Sequence, residues 1–139
     1  MSKGEGMQTM NQVRSAVQRA HFMSSCIKVL LDEAKTKRER QELLTLQNDE
    51  VRIEEGFCTI YELLSGEKPQ IEWGTGDRQP TTYLEGLRHC IEQELNNAEF
   101  YRKAGDTISD ADLRTRFYSA ALDEQRHAAW LQYFYLLYK

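Results

Sequence analysis

Four stretches of this chain repeat a core-facing position at alternating steps of four and three, the spacing of helices packed along a seam. The first seam runs Val13, Val17, Ala20, Ser24, Ile27, Leu31 and Ala34. The second runs Leu43, Leu46, Glu50, Ile53, Phe57, Ile60 and Leu64. The third runs Leu87, Ile91, Glu94, Ala98, Tyr101, Gly105 and Ile108, and the fourth Phe117, Ala120, Glu124, His127, Leu131, Phe134 and Tyr138. Four seams of this kind predict an all-α chain whose helices bury one face each against the others.

Turn signals divide the seams into two hairpins. Thr36 separates the first two stretches; Gly105, Asp106, Ser109 and Asp110 end the third and offer an N-cap for the fourth. Between the second and third lie residues 65–80, which hold both prolines and three glycines. A connection that long in a compact domain needs a reason. Extended, it reaches roughly 50 Å at about 3.3 Å per residue. That is enough to run the length of the bundle, so that the third helix starts at the opposite end. The predicted architecture is one four-helix domain over 9–139, after a flexible segment 1–8. Its helices fall at about 9–35, 37–65, 81–105 and 110–138, in two hairpins joined by a long crossover of the ferritin-like type.

The hairpins also repeat one another. Asp49-Glu50-Val-Arg52-Ile53 aligns with Asp123-Glu124-Gln-Arg126-His127, and at the same offset Arg40 meets Arg114, Tyr61 meets Tyr135 and Ala20 meets Glu94. An ancient duplication accounts for this pattern.

Composition narrows the function classes. The net charge is −4. The one cationic run, Lys35-Thr-Lys-Arg-Glu-Arg40, is mixed in sign and falls at a predicted turn, so no nucleic-acid face is expected. No apolar run is long enough to span a bilayer, and no signal peptide is visible. Cys26, Cys58 and Cys90 stand apart with no Cys-x-x-Cys pair, which fits reduced thiols in a cytoplasmic protein.

The informative residues are the ionisable ones inside the seams: Glu50, Glu94, Glu124 and His127. No Lys, Arg or Asp joins them there. Burying an ionised, unpaired carboxylate costs several kcal/mol. Arg52 and Arg126 point about 200° away from their neighbouring glutamates. Reflection about the two hairpin turns brings the glutamates to one layer, with His127 a turn from Glu124 on the same face. Protons or a metal cation would relieve the cost.

At these residues the chain resembles the rubrerythrin-like branch of the ferritin-like superfamily, over residues 9 to 139. The most specific piece is Asp123-Glu124-Gln125-Arg126-His127-Ala128, which follows Glu94-Leu-Asn-Asn-Ala-Glu-Phe100-Tyr101. The resemblance implies a bundle holding two irons that react with peroxide or dioxygen or oxidise ferrous iron. In it, each hairpin would give a glutamate from one helix and a Glu-x-x-His pair from the other. Glu94, Glu124 and His127 match one complete half, and Glu50 matches the next glutamate. Ala20 and Ile53 stand where the other half calls for a glutamate and a histidine. The resemblance therefore implies a half-site: one ion, iron or another divalent metal such as manganese or zinc, at Glu50, Glu94, Glu124 and His127. Any redox role would need an external electron donor, since the rubredoxin-like domain is missing.

Other residues are assigned lesser parts. His21 lies about 100° off the seam and would need a register shift to become a ligand. Glu54, Glu92 and Glu99 flank the seams as solvated groups, His89 is a boundary histidine, and Tyr101 is a packing residue. The last helix, from Trp130 to Tyr138, is apolar on more than one face, which points to a homodimer or to packing against Ile71 and Trp73. Two functions fit: a metal-binding protein with a possible oxidoreductase, peroxide or iron-handling role, or a bundle that has kept the fold and lost the chemistry.

Overall fold

The computed structural model describes residues 3–72 and 82–139. Among these it holds four helices: α1 (Lys3–Asp32), α2 (Lys37–Ser65), α3 (Tyr83–Thr107) and α4 (Ala111–Tyr138). The expected order of four helices holds, while α1 ends at Asp32 rather than about 35 and α3 spans Tyr83–Thr107 rather than about 81–105. The segment expected to be flexible, 1–8, is helical from Lys3 onward. Nothing in residues 3–8 breaks the backbone ladder of α1, although this turn buries none of its side chains. Trp73 lies outside the described residues.

The starts of α2, α3 and α4 each have a side-chain cap. Thr36, Thr82 and Asp110 are extended, and each accepts the backbone N–H three residues on, from Glu39, Glu85 and Leu113. Gly66 ends α2 with a left-handed φ of 76°, which a residue with a Cβ adopts only under strain.

The helices pack as two hairpins. α1 lies along α2 and α3 along α4, while α1 also meets α3 and α2 meets α4. Long-range pairs give the directions. Arg14 reaches Tyr61 and His21 reaches Glu54, so α1 and α2 are antiparallel. Gln12 reaches Thr107 and Arg19 reaches Asn97, so α1 and α3 are antiparallel too. Glu39 meets Tyr138 while Asp49 meets Arg126, which sets α2 against α4 in the same sense.

Apolar packing falls into two blocks. One gathers Val13, Val17, Phe57, Tyr61, Tyr101, Ile108 and Phe117 around stacked and tilted rings. The other gathers Met23, Ile27, Leu30, Leu43, Leu46, Leu87, Cys90, Leu131 and Phe134. Ile71 packs on the first block, whereas Trp130 and Tyr138 pack on the second. Ile71 is therefore not the cover for the end of α4. Between the blocks, α2, α3 and α4 pass through a polar storey, with Ala20 of α1 at the same level.

Candidate metal centre

That storey is built by α2, α3 and α4. Glu50, Glu94, Glu124 and His127 are each 0% exposed. One ligand atom from each falls within 4.8 Å of all the others. All four side chains singled out from the seams thus converge. His127 Nδ1 stands 3.1 Å from Glu50, 3.5 Å from Glu94 and 3.8 Å from Glu124. Four donors each about 2.1 Å from a tetrahedral cation would be about 3.4 Å apart; the His127 spacings bracket that value, while the full set, spread over up to 4.8 Å, would have to close around a small ion.

The carboxylates are short of partners. Glu50 Oε2, both oxygens of Glu94 and Glu124 Oε1 are buried without a hydrogen bond. Buried carboxylate oxygens are normally satisfied, so four orphans among three clustered glutamates call for a cation or for protons shared between them. Burial first, and then the Glu124 carboxylate, push Glu50 well above the ordinary carboxyl range. Glu94 is pushed up in the same way, by burial and then by Glu124 and Glu50.

Two contributors escaped the seam reading. Asp49 Oδ2 lies 3.0 Å from His127 Nε2 and accepts its N–H. Arg126 donates to the same carboxylate at 2.6 Å, and Arg52 donates to its other oxygen. Burial opposes the charge on Asp49, but the His127 and Arg126 hydrogen bonds outweigh it and hold this carboxyl below its usual range. The arginines do turn away from the glutamates, as helix geometry requires. They serve the neighbouring aspartate instead. With Nε2–H given to Asp49, the Nδ1 lone pair of His127 faces the three glutamates.

Asn97 is the second addition. Its Nδ2 donates to Glu124 Oε2 at 3.4 Å, while Arg19 donates to its Oδ1 at 3.1 Å from above the Phe100 ring. Asn97 stands three residues from Glu94, a spacing that places it on the same side of α3.

The remaining candidates stay outside. His21 Nδ1 is 3.2 Å from Glu54 and is not among the four clustered groups; Glu54 itself is half-buried rather than solvated. Glu92 and Glu99 are exposed and paired with Arg88 and Lys103. His89 is half-buried. Tyr101 is 0% exposed, with its hydroxyl donating to the Ala16 carbonyl at 3.4 Å. Ala20 is fully buried and Ile53 packs on the first apolar block, so neither adds a donor.

No family profile matches the chain. It is similar to the uncharacterized protein YhjR of Bacillus subtilis (strain 168), at 28% identity over 109 residues, which is 78% of this chain and 74% of that protein.

Proposed function

We propose that the protein binds one divalent metal ion through Glu50, Glu94, Glu124 and His127, as half of a ferritin-like di-iron site. The observation that carries this reading is the convergence of three buried glutamates on one histidine nitrogen, with four of their carboxylate oxygens left without a hydrogen bond. The antiparallel pairings above support the ferritin-like topology. α2 and α3 both oppose α1 and so run the same way, as in a bundle with one long crossover.

Bound there, the ion would supply Lewis acidity or, if iron or manganese, one-electron chemistry toward peroxide or dioxygen. The chain's own residues do the rest. Asp49 fixes the His127 tautomer, and Asn97 steadies Glu124. The blocks of rings and aliphatic side chains on either side keep bulk water out. Three carboxylates and one imidazole suit iron, manganese or zinc, with zinc favoured by intrinsic affinity. Ala20 and Ile53 deprive a second ion of both terminal ligands, so two-metal oxidation is weak, and any redox turnover would draw on an external electron donor. Exposed Leu122, Tyr133, Leu136 and Leu137 on α4 support assembly as a homodimer.

Elemental analysis of untagged protein, after growth with iron and separately with zinc, tests the reading. About one ion per chain is expected, lost in His127→Ala. Metal-free protein from both cultures would overturn it.

A further inference from the structure

α1 and α3 carry a second reactive pair, one turn away from the carboxylates. Arg19 on α1 hydrogen-bonds Asn97 on α3. The helices are antiparallel, so seven residues forward on one corresponds to seven residues back on the other. That step leads to Cys26 and Cys90. Both sit in the second apolar block, Cys90 buried within it and Cys26 packed against it, close enough for the Cys26 thiol to perturb Cys90. Cys26 is half-buried, whereas Cys90 is 2% exposed. We propose that Cys26 and Cys90 form a reversible, peroxide-sensitive disulfide that staples the two hairpins together.

The chemistry balances with hydrogen peroxide as the oxidant. The Cys26 thiolate attacks one peroxide oxygen, the O–O bond breaks, and the departing hydroxide takes a proton to become water. The Cys26 sulfenic acid is then displaced by the Cys90 sulfur, releasing a second water. Two thiols lose two electrons, and the O–O bond receives them. External thiols reverse the reaction by exchange. Cys26 is the attacking sulfur because peroxide reaches it first, and the enclosed Cys90 resolves. The contact with Cys26 and then burial push the Cys90 thiol far up, so Cys90 is not the sulfur that attacks peroxide. Cys58 provides an internal contrast. It stands alone on α2, where burial and the acids Glu54, Glu62 and Glu55 disfavour its thiolate.

The reaction does not depend on a bound ion, so the test uses chelator-treated full-length protein. Peroxide is added at a few equivalents, remaining thiols are alkylated, and peptides are mapped without reduction. The expected result is a Cys26–Cys90 cross-linked peptide pair, reversed by dithiothreitol, with Cys58 alkylated throughout. Cys58→Ser should leave the cross-link unchanged, and Cys26→Ser or Cys90→Ser should abolish it. A cross-link through Cys58, a disulfide between chains, or Cys26 and Cys90 alkylated as fully as in untreated protein would each overturn the proposal. Labelling under denaturing conditions ensures that burial of Cys90 is not read as oxidation.

Discussion

The Nε2 atom of His127 lies 3.0 Å from Asp49 Oδ2, across the gap between α4 and α2. This bond ties one hairpin's imidazole to the other hairpin's acid, and it leaves Nδ1 alone to face the glutamates. A metal-ligating histidine is commonly held by such a partner.

Removing that partner should weaken metal binding without touching a ligand. Asp49→Ala is expected to lower affinity by about 10–100-fold, because His127 loses its orientation and tautomer. Competition against a chromophoric chelator measures this directly. Affinity equal to the unmodified chain would show that Asp49 has no part in the site.

Glu94→Gln should act in opposite directions on the two forms of the protein. Without metal it removes a buried acid that burial and two neighbouring carboxylates disfavour. A stabilisation of roughly 1–2 kcal/mol is expected in urea titrations with chelator at about pH 8. With metal present, the loss of a charged ligand should abolish the stabilisation that the ion confers on the parent chain. A large fall in stability under chelator would contradict this account.

The metal-free protein should also have an inverted pH response above the ordinary carboxyl range. Glu50 and Glu94 are raised in the fold, so the native state holds more protons than the unfolded chain. Their contribution is full below the unfolded value, about 4.3, and declines as pH rises toward the folded values. Glu39 behaves oppositely. It is 2% exposed, and burial alone would raise its carboxyl. Hydrogen bonds from Tyr138, Tyr83, the Lys35 backbone and Thr36 outweigh that and leave it lowered. Together with Asp49, it withdraws stability as pH falls through and below the unfolded range. Chelated protein should therefore be most stable in mild acid, near about pH 5–6, and less stable at about pH 8. Saturating metal should remove the decline, since binding needs deprotonated ligands. A flat or rising profile between these pH values under chelator would count against burial of the cluster.

Leu122, Tyr133 and Leu136 lie along one stripe of α4, with Leu137 at its edge, and all four are exposed. Leu122→Lys combined with Leu136→Lys should convert a dimer into a monomer of unchanged helicity, seen by sedimentation velocity. A monomeric parent chain at about 100 μM would rule out this surface as a stable contact.

Much of this was legible from spacing. The seam residues Glu50, Glu94, Glu124 and His127 converge because a charge on an apolar lane has nowhere else to point. The lanes were read too narrowly, however. Met23 and Leu30 are buried beside Ser24 and Leu31, and Tyr61 is buried while Leu64 is exposed. Each helix here touches two neighbours, so it buries a face wider than a single seam. Asp49 and Asn97 sit on that added width. The repeated Asp-Glu-x-Arg segment pointed to Asp49, but pairing across hairpins depends on heights that periodicity along one helix does not supply. The opening residues, 3–8, read as flexible because no seam position falls among them, yet no proline interrupts the helical ladder there.

The storey of acids parts the apolar interior into two separately cemented ends, joined there chiefly by continuous backbone. An occupant of that gap would act as a rivet, and drawing it out would let the halves loosen at different temperatures. The sharpness of unfolding itself would then record whether the rivet is in place.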